Sequence, residues 1–397
     1  MKKILFRGWL LALSALVIPA CGGGKGGGAG AAGGASNLSH FTSYLIDGGS
    51  THSITTRGGT GGNGTGGTGG NVGILGVSAS PVQTLLNGAV DTSFTVPPGS
   101  PDLGSNPLTV TSAVAVTYTG TNGNLTVAQN GLFFGDDLAT AATGLWIKAG
   151  GALTLPPDDA ATPGASIMIT LNFARGVLID AGGTLNVAPQ GASTAGTSVI
   201  LNCSTFLSAG TVNTESVAGG GGAGGSFTVN SLGDAINTGT ILSDGTGTGG
   251  AAGGSVSLLS TQAGIFNTGA ITVSGAASAA GTGGAAGSVV FDTQTNGPDF
   301  NSGNLTAIGG DGATGGGQGG NIALNSIIAP GPSINSGTLS NSGGNVTGAT
   351  GFGGGGGTIQ IFSGGAPIRC SGTMTSRGGS GGTTSGGGGG GGSVEIL

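Results

Sequence analysis

The chain has 397 residues, of which 96 are glycine and only 6% are charged. Its formal net charge is −6, and it becomes about −9 if the basic residues Lys2, Lys3 and Arg7 leave with an N-terminal leader, since six basic residues then remain against fifteen acidic ones. This balance excludes the basic stripe that nucleic-acid binding requires. Glycine at this level usually indicates low-complexity sequence, so the placement of the apolar residues decides whether a fold is predicted.

Residues 1–20 have the form of a secretory signal. A basic start is followed by an apolar run from Trp9 to Ile18, which is too short to span a membrane. The stretch Val17–Cys21 resembles a bacterial lipoprotein signal, in which the cysteine becomes the lipidated first residue. The resemblance implies a lipid on Cys21 and a membrane as partner through this anchor. An ordinary signal peptide with an incidental cysteine is the alternative.

Residues 21–37 are predicted to form a flexible glycine-rich tether with a reach of about 20 Å. The four residues after Cys21 contain no aspartate, so nothing resembles an inner-membrane retention signal, and we expect export to the outer membrane or cell surface. Residues 38–119 are predicted to hold an N-terminal cap, an early coil and an irregular β region divided by prolines.

Residues 120–397 repeat one pattern. An apolar residue and a small polar residue are followed, two positions later, by glycine, then by a glycine-rich run and a short alternating strand. A period of about thirty residues indicates a solenoid, and the short β-branched segments indicate strands. We expect shortening of the glycine-rich loop Ala276–Gly287 to cost little stability, because the cost of loop closure changes slowly with length. The small polar positions are Lys148, Asp180, Ser208, Asn237, Asn267, Asn301, Asn335 and Cys370.

The asparagines of this series resemble those of the right-handed single-stranded parallel β-helix, the fold of pectate-lyase-like proteins and many bacterial surface proteins. The resemblance implies an all-β fold with a structural ladder of asparagines, hydrogen-bonded from coil to coil. It also implies that each asparagine occupies a corner with positive φ, which asparagine tolerates well. The fold alone does not state an activity, because it hosts many. The implied ladder residues are Asn237, Asn267, Asn301 and Asn335.

Candidate catalytic and metal-binding residues are few. Zinc lacks a ligand set, because the histidines are only His40 and His52 and no paired cysteines occur. The acidic pairs Asp136–Asp137 and Asp158–Asp159 are the strongest carboxylate candidates. Polysaccharide hydrolases of the resembled fold carry Asn-Thr-Asp, Gly-His-Gly and Arg-Ile-Lys, whereas this chain has Asn-Thr-Gly, no Gly-His-Gly and only Ile147–Lys148. We interpret the acids as solvated loop residues and predict no catalytic residue, cofactor or metal site.

Other residues are assigned structural roles. Arg175 is expected to form a surface ion pair near Asp180. Cys203 and Cys370 are expected to be free thiols, because five stacked coils separate them by about 24 Å. The last coil, with the strand at residues 393–397, is expected to offer a surface for self-association, since an open coil end presents unpaired backbone groups.

The sequence therefore predicts a lipid-anchored cell-surface protein with a structural or adhesive role, which binds through a long repetitive polar face. Polysaccharide and another surface protein remain the open choices of partner. The alternative is a polysaccharide-modifying enzyme of the same fold, a lyase or glycoside hydrolase. Recognition of ice by regular threonine arrays is a third class, and it is disfavoured because no Thr-x-Thr recurs at the coil period.

Overall fold

The structure is a computed structural model that describes residues 144–396, apart from 156–167, 188–196, 216–221, 295–296, 327–330, 364–365 and 367. Before residue 144 it describes Asp102, Leu103 and the backbone of several short strands. The strands are β1 (Ser36–Leu38), β2 (Ser43–Ile46), β3 (Val72–Leu75), β4 (Gln83–Leu86), β5 (Leu108–Val110), β6 (Ala113–Ala115), β7 (Leu132–Gly135), β8 (Leu145–Ile147), β9 (Ala152–Leu155), β10 (Met168–Asn172), β11 (Val177–Ile179), β12 (Thr184–Val187), β13 (Ser198–Cys203), β14 (Phe206–Ser208), β15 (Thr211–Asn213), β16 (Phe227–Ser231), β17 (Ala235–Asn237), β18 (Thr240–Leu242), β19 (Ser255–Ser260), β20 (Ile265–Asn267), β21 (Ala270–Thr272), β22 (Ser288–Thr293), β23 (Asp299–Asn301), β24 (Asn304–Thr306), β25 (Asn321–Ser326), β26 (Ser333–Asn335), β27 (Thr338–Ser340), β28 (Thr358–Ser363), β29 (Ile368–Cys370), β30 (Met374–Thr375) and β31 (Ser393–Ile396).

The described part of the chain is all-β, and its strands stack as a parallel β-solenoid. Three long sheets form its faces. The eight-stranded sheet runs from β10 to β31, the eleven-stranded sheet from β2 to β29, and the nine-stranded sheet from β6 to β30. A three-stranded sheet, β1-β3-β7, lies at the N-terminal end, where β7 contacts β10. The predicted parallel β-helix is therefore confirmed, and strands β2, β4, β5 and β6 already belong to its long sheets.

Alternation of side chains along each strand builds the core. A coil passes through the eight-stranded, eleven-stranded and nine-stranded sheets in turn, and in β19 every second residue is buried. Each inward residue lies against its counterpart one coil away, so identical positions form apolar columns. Burial of each such side chain contributes about 1.5–3 kcal/mol. The two columns of the eight-stranded sheet are Val199, Phe227, Val256, Val289, Ile322 and Ile359, and Leu201, Val229, Leu258, Phe291, Leu324 and Ile361.

The predicted register is wrong in the first two regular coils. Ser208 pairs with Ile179, which pairs with Ile147, so Lys148 and Asp180 lie one position beyond the ladder column. The cause is a longer corner: residues 148–151 and 180–183 form turns, whereas only two residues separate β14 from β15. The turns are closed by backbone hydrogen bonds. The amide of Gly151 donates to the carbonyl of Lys148, and the amide of Gly183 donates to the carbonyl of Asp180. Because of the extra turn residues, the position two residues before Gly150 or Gly182 lies one residue past the ladder column.

The ladder asparagines also differ from the expected backbone conformation. Each is the last residue of a short parallel strand, as Asn237 is in β17 and Asn267 in β20. Strand residues have negative φ, so these asparagines are not left-handed corner residues. Positive φ is carried at the early corners by Gly150 (81°) and Gly182 (84°). The asparagines were predicted from the right position for the wrong conformational reason.

The glycine-rich runs are ordered. We call them the glycine arms: residues 243–254, 273–287, 307–320, 341–357 and 376–392 lead from the nine-stranded sheet out and back to the eight-stranded sheet. Each arm has an outgoing and a returning limb, both extended and mostly outside regular strands. These runs are therefore more than simple loops, and their tolerance of shortening stays a prediction.

A continuous chain of backbone hydrogen bonds crosses the arms. In the third arm the amide of Gly317 donates to the carbonyl of Gly310 (2.8 Å), and Gly310 donates to Gly284 of the second arm (2.8 Å). Bonds between the two limbs of one arm alternate with bonds to the arm of the preceding coil, and this pattern continues in both directions along the stack. Each residue of the series donates through its amide to one neighbour in the series and accepts through its carbonyl from the other. Such chains polarise their members cooperatively. From donor to acceptor the series is Gly389, Gly379, Gly354, Gly344, Gly317, Gly310, Gly284, Ala276 and Ala251.

Close contact between arms explains why these positions are glycine. A Cβ placed on Gly317 would lie 1.9 Å from the carbonyl oxygen of Gly284, and one on Gly354 would lie 1.8 Å from that of Gly317. These contacts are with backbone, which cannot move aside as a flexible side chain can. Glycine is thus required by packing between equivalent limbs one coil apart, and the high glycine content is part of the folded structure.

Strand β31 is the last strand of the eight-stranded sheet. It pairs with β28, and its outward and inward side chains are all exposed, with Val394 at 45% and Ile396 at 50%. Self-association through this coil stays a prediction.

Candidate functional site

The predicted ladder asparagines lie in one buried column of the eleven-stranded sheet. Asn237 Nδ2 donates to Asn267 Oδ1 (2.8 Å), and Asn267 Nδ2 donates to Asn301 Oδ1 (2.7 Å). Asn301 continues the series to Asn335 (2.8 Å). Each amide also donates to the carbonyl of the glycine two residues later, for example Asn267 to Gly269 (3.1 Å). All four side chains are fully buried, so the ladder stabilises the stack and offers nothing to a ligand.

The ladder stops at Ser208. Ser208 occupies the same column one coil before Asn237. Ser208 Oγ and Asn237 Oδ1 are both buried, and neither has a hydrogen-bond partner. The hydroxyl is too short to replace the amide of the other coils, so the two polar atoms remain unsatisfied at the end of the ladder.

A different set of side chains offers a binding surface. We call the outward side chains of the eight-stranded sheet the polar face. Its first column contains only hydroxyl and amide side chains over the last coils, and its third begins with three asparagines. The first column is Ser255, Ser288, Asn321, Thr358 and Ser393; the second is Ile200, Thr228, Ser257, Val290, Ala323, Gln360 and Glu395; the third is Asn172, Asn202, Asn230, Leu259, Asp292, Asn325 and Phe362.

Hydrogen bonds between neighbouring coils order this face. Asn202 donates to Asn172 (2.6 Å) and Asn230 donates to Asn202 (2.8 Å). Ser288 Oγ donates to Ser255 Oγ (3.1 Å) in the first column. Strand spacings of about 4.8 Å and alternate residues about 6.8 Å apart give a face roughly 34 Å long and 14 Å wide. The side chains joined by these bonds are held in place before any ligand arrives, which lowers the entropy cost of binding.

The polar face is nearly free of charge. Its strands contain no lysine, arginine or histidine, and Asp292 and Glu395 are its acidic residues. A catalytic site of the resembled fold needs carboxylates and basic residues gathered on one face. The described part of this face instead carries mainly neutral hydroxyl and amide side chains, interrupted by five apolar residues: Ile200, Val290, Ala323, Leu259 and Phe362.

One carboxyl lies inside the solenoid. Asp299 is fully buried in the column of Ile265 and Ser333, and Thr293 Oγ1 donates to its Oδ1. Its Oδ2 has no hydrogen-bond partner. Burial raises the pKa of Asp299 to about 7, the Thr293 hydroxyl opposes this, and the charge of Asp292 adds to it. A closed interior position gives Asp299 no access to a substrate, so it bears on stability and not on catalysis.

An acidic pair, Glu215 and Asp244, lies where the nine-stranded sheet meets the arms. Burial raises the pKa of Asp244, while hydrogen bonds from Ser274 and Thr272 oppose the rise. Burial and then the charge of Asp244 raise the pKa of Glu215. Thr272 Oγ1 donates to Asp244 Oδ2 (2.9 Å), so this carboxylate fixes the next coil. Within the described residues no cluster of histidine, cysteine and acidic side chains could hold a metal ion.

The remaining candidates are placed as follows. Arg175 forms its ion pair with Asp102 (2.8 Å) and not with Asp180, which instead accepts from Trp146 Nε1 (2.9 Å). The predicted pairing was wrong because the segment at residues 102–103 returns to this corner, which no local pattern indicates. The acidic pairs at residues 136–137 and 158–159 lie outside the described residues.

The cysteines have three different settings. Cys21 and the predicted signal lie outside the described residues. Cys203 and Cys370 are free thiols, the first buried and the second exposed, as predicted. Burial raises the pKa of the Cys203 thiol to about 12, so it is an inert core residue.

Comparison of the chain with protein-family models, curated proteins and solved structures finds no match. Among the described residues, no helix is long and apolar enough to cross a membrane.

Proposed function

We propose that the chain is a lipid-anchored cell-surface protein with a structural or adhesive role, and that it binds its partner through the polar face. The single observation that supports this most is the outward surface of the eight-stranded sheet. It is long, regular and ordered by hydrogen bonds between coils, and its strands carry no basic residue.

A surface of this kind favours binding over catalysis. Closely spaced hydroxyl and amide groups can each exchange one hydrogen bond with water for one with a ligand, at little net gain per contact. Affinity then grows with the number of coils engaged, as expected for a repetitive polysaccharide or for a regular surface of another protein. No observation in the described part of the chain favours the alternative of a polysaccharide-modifying enzyme.

The binding proposal is tested by inserting charge into the middle of the face. Thr228 and Ser257 are neighbours in its second column. Cells that display the full chain with T228R and S257R should adhere at least tenfold less to a panel of immobilised polysaccharides and whole-cell surfaces, because two buried cations would be left unpaired in the contact.

The matched control places the same side chain on another face of the same solenoid. Thr306 points outward and is half-buried on the nine-stranded sheet. Cells with T306R should adhere as the parent does. Equal adhesion of parent and T228R/S257R cells, at equal surface expression, would overturn the role of the polar face.

The anchor is tested separately. Palmitate should label the parent chain, and C21A should abolish the label and release the protein into the soluble fraction. Membrane partitioning that does not change in C21A would contradict lipidation at Cys21 and leave the binding test unaffected.

A further inference from the structure

An apolar column runs along the outside of the eleven-stranded sheet. The middle residue of each short strand points outward, and at successive coils it is Ile236, Phe266, Phe300 and Ile334. We call these four residues the apolar stripe. Each is partly exposed. The Phe266 and Phe300 rings lie 6.4 Å apart at 42°, a favourable tilted arrangement. The stripe is about 14 Å long.

The chain itself covers the same column at its N-terminal end. There the outward residues are Trp146 and Leu178, and Leu103 packs over both of them. Two backbone hydrogen bonds hold the covering segment. The amide of Gly144 donates to the carbonyl of Leu103 (2.9 Å), and the amide of Gly176 donates to the carbonyl of Asp102 (2.7 Å). Trp146 is only 7% exposed as a result. Where a segment is at hand, this column is buried, and the apolar stripe is the part that remains uncovered.

The stripe is symmetric in sequence. Read along the stack, its order is Ile-Phe-Phe-Ile. A hydroxyl column accompanies it, two residues after each stripe residue: Thr238, Thr268, Ser302 and Ser336, all exposed. Beyond the two ends of the stripe the same column continues with Leu207 and with Arg369. A twofold interface places one patch against a second copy of itself, and with this order an antiparallel pair sets Ile against Ile and Phe against Phe.

We infer that the apolar stripe binds a second copy of this chain, with the two coil stacks antiparallel. In that orientation Ile236 meets the partner's Ile334 and Phe266 meets the partner's Phe300. The hydroxyl columns lie on the same side and face each other. Arg369 meets the partner's Leu207. The partner's Asp234, an opposite charge, lies in the coil next to that leucine.

The parallel orientation is disfavoured by the same residues. It would place Arg369 opposite the partner's Arg369, and like charges in an interface oppose binding. It would also place the hydroxyl column against the other side of the stripe, where the corresponding positions are Asp234, Gly264, Pro298 and Pro332. The two prolines there have no amide hydrogen to donate.

The contact is small. Four stripe residues and the column beside them cover less than the roughly 800 Å² per partner of a standard stable interface, so one pair of copies should associate weakly and reversibly. Many copies on two opposed surfaces would add up by multivalency. Antiparallel stacks have their N-terminal ends on opposite sides, which suits contact between two anchored surfaces. The dimer rests on the fold, and only this adhesive use rests on the proposed function.

Thiol crosslinking tests the register. The full chain with C21S and C370S retains only the buried Cys203. In this background I236C and I334C chains are treated with a short bifunctional maleimide, each alone and as an equal mixture. The antiparallel register places position 236 opposite the partner's 334, whereas the two copies of position 236 lie three coils, about 14 Å, apart along the stack. It therefore predicts a crosslinked dimer in the mixture, composed of one chain of each kind, and little in either chain alone. Efficient linkage of I236C chains to each other would overturn the orientation.

Sedimentation equilibrium tests the contact without introduced thiols. The C21S/C370S chain should show a concentration-dependent dimer, F300D should weaken it at least tenfold, and T306D, in the same coil on another face, should leave it unchanged. A parent chain that stays monomeric at high concentration, or a dimer equally strong in F300D, would overturn the inference. A glycan or other protein bound at the stripe would be shown by loss of cell adhesion in F300D with a monomeric parent. Because these measurements use a chain without the lipid-bearing cysteine, they can fail while the polar-face and anchor tests succeed, and the reverse.

Discussion

At the scale of single residues, the glycines of the arms act through contacts that a methyl group would prevent. We predict that G317A destabilises the protein by more than about 4 kcal/mol, because its Cβ would lie 1.9 Å from a backbone oxygen of the neighbouring arm and the hydrogen-bond chain would have to break. The loss should be read from the midpoint of chemical unfolding.

Gly390 is the matched control. It lies in an arm as well, but nothing stands within 4 Å of the position a Cβ would take. G390A should be neutral or gain about 0.4–1 kcal/mol, since alanine lowers the entropy of the unfolded chain. Equal destabilisation by both substitutions would show that the arms are not packed as described.

The asparagine ladder allows the same substitution to be compared at two depths. N267L leaves Asn237 Nδ2 without its acceptor and Asn301 Oδ1 without its donor, both in the interior. We expect a loss of about 2–6 kcal/mol, because each of these two unsatisfied buried groups costs roughly 1–3 kcal/mol. N230L breaks a similar bond to Asn202 on the half-buried polar face. There water can take over, and thermal unfolding should show a loss below about 1 kcal/mol. A larger loss in N230L than in N267L would contradict a structural role for the ladder.

Asp299 should make stability depend on pH. The pKa of this carboxyl is about 7 in the folded chain, above the value near 4 of an exposed aspartate, chiefly because burial disfavours the charge. Between these two values the folded state binds more protons than the unfolded state, so stability falls as pH rises from about 4 to 7. D299N should flatten this slope in unfolding curves measured across that range.

At the scale of elements, the strands could be predicted and the arms could not. Alternation in segments such as β19 and β28 gave both the strand and its buried face, because a period of two is set by the backbone alone. The register failed at Lys148 and Asp180, where a turn of two additional residues leaves the apolar pattern intact. The glycine arms carry no side-chain periodicity, and their order comes from backbone hydrogen bonds between segments about thirty residues apart. By composition alone, such segments are classified as low-complexity sequence.

The surfaces show the same division between local and distant information. The polar columns of the eight-stranded sheet follow from the strand pattern once the register is known. The apolar stripe was missed although its members recur with the same spacing of 30 to 34 residues as the ladder asparagines. The reason is that the apolar residue of each repeat was not assigned to the inner or outer side of its strand. The signal that could have found it is the apolar residue directly before each ladder asparagine. Alternation predicts that this residue points away from the core.

At the scale of the whole molecule, the stack behaves as a sum of coils that contact only their neighbours. We therefore predict that one complete coil can be removed. Deletion of residues 268–301 joins Asn267 to Ser302, which is the residue that follows a ladder asparagine in the next coil, and the deleted length equals the 34-residue spacing of that ladder bond. Every remaining strand then meets a strand of the same sheet, with β24 over β18, β25 over β19 and β26 over β20. Far-ultraviolet circular dichroism should show an unchanged β signal per residue, and Cys203 should stay protected from alkylation in the native chain.

Deletion of residues 268–284, half that length, is the control. It would place the returning limb of an arm where the nine-stranded sheet requires a strand, and cooperative unfolding should be lost. If both deletions unfold the protein equally, the coils are not equivalent units, and the description of the molecule as a regular stack fails.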